Sequence, residues 1–326
     1  MRSRLGVVNL TFCLCLMVLM ALYFSSPALY AQEYPVKPVH IVIPSAAGGS
    51  MDLATRTFGH LAPDALGQPL IVQIREGGGG AIGSELVAQA KPDGYTLIMA
   101  HTNHNCILPA VDGRSRGPED FEAVCRINLQ NPVYWVLASS PFKTIKDVID
   151  YAKANTGKLA LGNSGTWSLP DLEMRWLEMK AGISIRNVPY NGGGACLLGL
   201  LGGHVQVAML PTTQCLPHYR SGKLRPLAVQ GSKRDLSLPN VPSMKEEGYD
   251  TGMAGLWMGV AAPKGTPRPI VEKLAIGFKK MTENGQAIDN FAKLGNTFGY
   301  MGPDEFAKYW RDDFGIYKEM AKLFKK

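Results

Sequence analysis

The residues best equipped for chemistry lie in short stretches rich in glycine and hydroxyl groups. The first is Ser45-Ala46-Ala47-Gly48-Gly49-Ser50-Met51-Asp52. Glycines there open backbone conformations closed to other residues, Ser50 reads as a helix N-cap, and Asp52 suits the first turn that follows. A helix opened in this way points unpaired N–H groups outward at the positive end of its dipole, which suits a carboxylate or a phosphate. The same residues also serve a plain tight connection between a strand and a helix, so this turn alone does not assign a ligand.

Other chemistries are poorly supplied. Gly78-Gly79-Gly80-Ala81-Ile82-Gly83 follows a strand and precedes a helix, as a dinucleotide fingerprint requires. The next strand, however, ends in His101-Thr102 where a ribose-binding acid would stand, so no nucleotide cofactor is expected. His101 and His104 have the spacing of two metal ligands without an evident third. Ser164, in Gly162-Asn163-Ser164-Gly165-Thr166, lacks the closing glycine of a hydrolase elbow. Asp52 is the lone carboxylate expected at a strand mouth, where helix-dipole duty accounts for it. An inventory of glycine, Ser, Thr and Asn without acid–base pairs fits binding an anion better than transforming it. No catalytic residue, metal or cofactor is therefore expected.

Alternating strands and helices position these stretches. Val39 to Ile43, Leu70 to Ile74 and Tyr95 to Ala100 read as strands, with helices after Ser50 and through Ala90. This βαβαβ order implies a parallel sheet covered by helices, with ligands beyond the carboxyl ends of its strands. A second series runs from about Tyr134 to Val229, and its candidate loops are 163–166, 190–194 and 211–213. The C-terminal stretch carries Phe306, Tyr309, Trp310, Tyr317, Met320 and Phe324 at helical spacing, which reads as core packing.

The chain of 326 residues has room for two full cores, and 46% hydrophobic content is that of a globular protein. Arg2 and Arg4, the apolar stretch from Leu5 to Phe24 and small residues at Ser26, Ala28 and Ala31 form the pattern of a secretory signal peptide, residues 1–31, cleaved after Ala28 or Ala31. Losing those arginines takes the formal charge from +7 to +5. The remaining basic residues are scattered, so neither nucleic acid nor a membrane surface is implied as a partner. Cys106, Cys125, Cys196 and Cys215 remain in the exported chain and allow three pairings, among which sequence does not choose.

Beyond these local features, the chain resembles the Bordetella uptake gene (Bug) family, the periplasmic solute-binding proteins of tripartite tricarboxylate transporters. The resemblance rests on the order and spacing of Gly48-Gly49-x-x-Asp52, Leu66-Gly67-Gln68-Pro69, Gly77 to Gly83 and Pro92-Asp93-Gly94-Tyr95-Thr96-Leu97. Val188-Pro189-Tyr190, Leu201-Gly202-Gly203-His204-Val205, Gly222-Lys223-Leu224-Arg225-Pro226-Leu227 and Ala262-Pro263-Lys264-Gly265-Thr266-Pro267 continue it. It implies an α/β fold of two doubly wound lobes with a ligand cleft between them, the type II periplasmic binding protein architecture. Lobe one would hold residues 34–135 plus 253–326, and lobe two 136–252. The resemblance also implies a small organic acid ligand, integral membrane transporter subunits as partners and a monomer in the periplasm.

Carried over residue by residue, the family's carboxylate grip falls on Ser45, Gly49, Ser50, Asp52, Gly80, Ala81 and Thr102, with Ser164, Thr166 and Tyr190 opposite. Ser45 and Ala47 replace a common aromatic and proline, Asn191 replaces a common lysine, and Gln206 stands in place of a common Asp. These departures bear on which acid is held. An extracytoplasmic sensor on the same fold and an exported hydrolase using Ser164 are the competing readings.

Overall fold

The computed structural model describes residues 34–253 and 255–324. The signal-peptide assignment to residues 1–31 lies outside them. Eleven strands form two sheets among the described residues. In the first, β1 (Val39–Ile43) pairs in parallel with β2 (Leu70–Ile74) and β3 (Thr96–His101). The parallel βαβαβ expectation therefore holds for these three strands, whose carboxyl ends share one edge. β4 (Phe121–Gln130), β10 (Leu256–Pro263) and β11 (Phe298–Met301) extend the sheet in antiparallel fashion, giving the order β11-β4-β10-β3-β1-β2.

The second sheet, β7-β6-β8-β5-β9, has a parallel core of β6 (Ala160–Asn163), β7 (Arg186–Pro189) and β8 (Val207–Pro211). β5 (Pro132–Leu137) runs antiparallel to β8 and to β9 (Leu224–Val229). β4 is absent from the sequence expectations, and its burial explains why. Both faces are covered from Ala123 to Asn128, so no two-residue alternation survives, and Arg126 lies mid-strand only 7% exposed. Its guanidinium is accommodated because Nε donates to Gly299 O at 2.9 Å and the group lies over the Tyr309 ring.

The chain leaves the first sheet for the second at Asn131, the single residue between β4 and β5, and returns in the segment before β10. The two crossings touch. A Cβ built on Gly255 would lie 2.2 Å from Asn131 Oδ1 and 2.4 Å from Gln130 O, so only glycine permits this approach.

The helices are α1 (Ser50–Gly59), α2 (Ala62–Leu66), α3 (Ala81–Ala88), α4 (Leu108–Val111), α5 (Ile145–Ala154), α6 (Leu169–Ala181), α7 (Gly193–Leu201), α8 (Thr212–Arg220), α9 (Arg268–Thr282), α10 (Gly285–Lys293) and α11 (Pro303–Phe324). The aromatic stripe of α11 is core, as its spacing predicts. Phe306, Trp310 and Tyr317 are buried against Trp257 of β10, whose indole Nε1 donates to Asp313 Oδ2 at 2.8 Å. Leu169 and Leu172, from the first turn of α6, join this cluster, so a helix of the second sheet is anchored in the core of the first. No described helix is long and apolar enough to cross a membrane.

Candidate functional site

The first βα turn is held from within. Gly48, at φ +74°, donates its N–H to Asp52 Oδ2 at 2.8 Å, and Arg56 Nε donates to Asp52 Oδ1 at 2.6 Å. Asp52 is only 4% exposed, so its carboxylate braces the turn. The helix begins one residue earlier than its serine suggests. Gly49 is the N-cap, Ser50 is the first helical residue, and no side chain caps the first-turn N–H groups. Ser45 Oγ is buried and has no hydrogen-bond partner.

The second turn runs through Gly77, Gly78, Gly79 and Gly80 with successive φ values of +123°, +59°, +66° and +95°, which only glycine adopts in series. Gly80 is buried against the root of the His104 ring. Behind it, Ser84 Oγ donates to Gly80 O at 2.8 Å, Asn105 Nδ2 donates to Ser84 Oγ at 2.9 Å, and His101 N–H donates to Asn105 Oδ1 at 3.2 Å. This chain of bonds ties the glycine turn and Ala81, at the start of α3, to the end of β3.

The stretch after β3, expected as a loop from His101 to Cys106, is a π-helical turn over Asn103–Ile107. Thr102 is fully buried there, and Trp257 N–H donates to its Oγ1 at 2.7 Å. The threonine thus braces β10 as it returns from the crossing. The His101 and His104 rings lie 5.3 Å apart, and no group of three His, Cys, Asp or Glu side chains assembles among the described residues. Desolvation pushes the His104 imidazole down to about 4, and desolvation together with neighbouring His104 pushes His101 down to about 3. Both are neutral near pH 7, so any anion affinity here comes from backbone dipoles and not from imidazolium. The four cysteines are free and buried.

On the second sheet, Ser164 is half-buried, Thr166 is exposed, and Gly192 N–H donates to Ser164 O at 3.3 Å. Trp167 is held at φ +62° because its N–H donates to Asp171 Oδ2 at 2.9 Å, and the Arg175 guanidinium lies over its ring. The Tyr190 ring packs over Gly162 and Gly199, half-buried against the second sheet's own core.

A cavity of about 530 Å³ joins the two halves of this inventory. Gly48, Gly49, Ser50 and Leu53 line it from α1, Gly194 and Leu197 from α7, and Thr213 and Gln214 from α8. Lys293, Leu294 and Asn296 complete the wall. Three helix N-termini therefore meet at one cavity, none with a side-chain cap, and no acidic residue lines it. Of the site residues expected from sequence, Gly49 and Ser50 line this cavity. Ser45, Asp52, Gly80, Ala81, Thr102, Ser164, Thr166 and Tyr190 stand outside its lining. Gly194 and Thr213 fall within candidate loops 190–194 and 211–213, so the sequence carried a signal for them. Lys293 and Asn296 carried none.

Two α/β sheets joined by touching crossings, with a cavity of positive helix ends between them, are the architecture of a two-lobed solute-binding protein. The chain belongs to the tripartite tricarboxylate transporter family receptors, whose sequence profile matches residues 55–322. It is 32% identical to BugT of Bordetella pertussis over 305 residues, covering 90% of this chain and 92% of that one. The periplasmic binding protein BugD superposes with a TM-score of 0.74 at 30% identity, covering 90% of this chain and 98% of that one. A Rhodopseudomonas palustris protein with adipate superposes with a TM-score of 0.75 at 26% identity, covering 89% and 97%. The resemblance read from sequence and the α/β binding-protein fold are both borne out.

Proposed function

We propose that this chain, freed of residues 1–31, acts as a periplasmic monomer that captures a small organic carboxylate and hands it to the membrane subunits of a tripartite tricarboxylate-type transporter. The first boundary, expected at 135/136, moves to Asn131 because β5 lies wholly in the second sheet. Lobe one is then residues 34–131 plus 253–326, lobe two is 132–252, and the ligand lies in the cavity between them. The observation that carries this reading is the meeting of three uncapped helix N-termini at a cavity without an acidic side chain. The R. palustris neighbour's adipate supports the same ligand class.

In this reading the first-turn N–H groups at the starts of α1, α7 and α8, that of Ser50 among them, grip the carboxylate. Gly49, Gly80 and Ala81, whose N–H groups donate to Ala46 O, Gly77 O and Gly78 O, shape the two glycine turns together with Ser45. Ser164, Thr166 and Tyr190 belong to the closing lobe, while Asp52 and Thr102 hold the gripping loops in shape. Charge-assisted hydrogen bonds contribute about 1.5–3 kcal/mol each, so three or four reach the ~8 kcal/mol of micromolar binding.

A thermal-shift screen of organic acids, amines and sugars tests the assignment. The wild-type protein is expected to respond to one class of carboxylate. Asp52→Ala, which frees the Gly48 N–H and the Arg56 side chain, should weaken that acid about tenfold and cost about 1–2 kcal/mol of stability. A response to amines or sugars with none to acids would sink the reading.

A further inference from the structure

One buried acid takes no part in the ligand cavity. Glu173 lies on α6, the helix whose Leu169 and Leu172 pack into the core of the first sheet. It is 1% exposed, and no described Lys, Arg or His forms an ion pair with it. Arg175, two residues on, pairs with Asp171 instead. Glu173 Oε1 accepts from Thr251 Oγ1 at 2.7 Å and from Gln230 Nε2 at 2.8 Å. Both partners stand on the crossings between the lobes. Gln230 N–H donates to Pro132 O at 2.8 Å, beside the first crossing at Asn131, and Gln230 Nε2 donates to Met253 O at 2.8 Å in the return segment. Thr251 Oγ1 also accepts from Met253 N–H at 3.1 Å. A single carboxyl thus ties a helix anchored in the first sheet's core to both segments that a turn of the lobes must bend.

The bonding around this carboxyl favours its proton. Gln230 Nε2 already donates twice, and Gln230 Oε1 is buried without a partner, as is the Tyr134 hydroxyl. A protonated Glu173 brings a further donor to this cluster, whereas an ionised one brings a buried charge that no cation meets. The titratable groups facing it are Asp250 in the return segment, Tyr134 on β5 and Tyr317 on α11, with Asp313, Tyr309 and Cys106 behind Tyr317. None is cationic. Burial, with Asp250 pushing the same way, raises the carboxyl to about 8. A cavity of about 290 Å³ lined by Gly231, Asp250, Gly252 and Met253 lies beside the cluster, so a shift of the return segment brings water to the carboxylate.

We propose that Glu173 is a proton-operated latch on the hinge: protonated, it holds the return segment against α6, and on losing its proton to solvent it releases that segment and lets the lobes turn relative to one another. The latch acts on the lobes themselves and does not depend on which ligand the cavity takes. The alternative is that ionisation weakens the whole fold without moving one lobe against the other.

Pulsed electron–electron resonance between spin labels on the full mature protein, dialysed free of ligand, separates the two. One label pair is Lys153→Cys with Lys273→Cys, on α5 and α9, and a second is Lys223→Cys with Lys322→Cys, so that motion about one axis does not escape detection. All four positions are exposed, and the native cysteines are buried and stay unlabelled. With Glu173 in place, the ratio of a shifted to the original distance is expected to rise by up to about tenfold per pH unit from pH 6 to about pH 8 and to level off above, at constant far-UV circular dichroism. Glu173→Gln, uncharged throughout, should hold the original distances from pH 5 to pH 9. Distances that stay fixed with pH in both label pairs, or that change equally in Glu173→Gln, overturn the proposal. So do distances that broaden only as the circular dichroism is lost, because the acid then governs stability alone.

Discussion

Gly80→Ala is expected to cost about 2–5 kcal/mol of stability and to abolish measurable ligand binding. Two penalties add. At φ +95° an alanine carries the strain of left-handed backbone, about 1–2 kcal/mol. Its Cβ would also lie 2.6 Å from His104 Cγ and 2.9 Å from His104 Cβ. Those atoms are the root of a packed ring and not the end of a flexible chain, so the turn must move, at about 1–3 kcal/mol for an overpacked site. Gly48 supplies the control. It has φ +74° with open space around its Cβ position, so Gly48→Ala should carry the strain alone, about 1–2 kcal/mol. Urea denaturation of both variants measures the difference. Equal losses would mean that the approach of His104 to Gly80 does not shape the second turn.

The second large effect is a fall in stability with rising pH that Glu173→Gln removes. Glu173, on α6, is 1% exposed, and its Oε1 accepts from Thr251 Oγ1 at 2.7 Å and from Gln230 Nε2 at 2.8 Å. Gln230 Nε2 also donates to Met253 O at 2.8 Å, so the cluster sits on the segment that returns to the first sheet. Burial pushes the carboxyl up to about 8, Asp250 pushes the same way, and the two hydrogen bonds pull back without prevailing. A carboxyl whose folded value lies above its unfolded value, about 4.3, takes up its proton more readily in the folded state. Its contribution is therefore complete below about pH 4.3, declines as pH rises, and is lost above about pH 8. At about 1.4 kcal/mol per unit this spans about 3–5 kcal/mol, or a Tm change on the order of 10 °C.

Glutamine keeps the two accepted bonds and carries no charge, and its amide offers a donor near Gln230 Oε1, which is buried without a partner. Thermal melts from pH 5 to pH 9 should show a falling Tm in the wild type and a flatter profile in Glu173→Gln. The variant should be the more stable protein above pH 8. Parallel profiles would place the pH dependence elsewhere.

Much of the fold was legible because its signals are local. The strands over 39–43 and 70–74 follow from β-branched runs and turn residues alone, and the structure keeps those bounds. β4 was hidden because a strand buried on both faces, with an arginine stacked on a tyrosine, has no alternation to read. The site was legible only where it is backbone. Glycines preceding a helix mark the turns at Gly48, Gly80 and Gly194, and Pro211-Thr212-Thr213 marks the start of α8, the third helix at the cavity. Side-chain direction was not legible. Thr102 and Tyr190 sit in the expected segments, yet their groups are drawn to Trp257 and to Gly162 and Gly199 by packing partners remote in sequence. Lys293 and Asn296 reach the cavity through tertiary placement of α10, which no local pattern encodes.

Native mass spectrometry of the mature protein, as purified and after adding carboxylates, tests the central claim most directly. The account predicts one organic acid bound per monomer, recovered chemically unchanged on release, and lost together with its thermal shift in Gly80→Ala. A protein that converts the acid, or that retains amines, sugars or nucleotides while ignoring carboxylates, would contradict it.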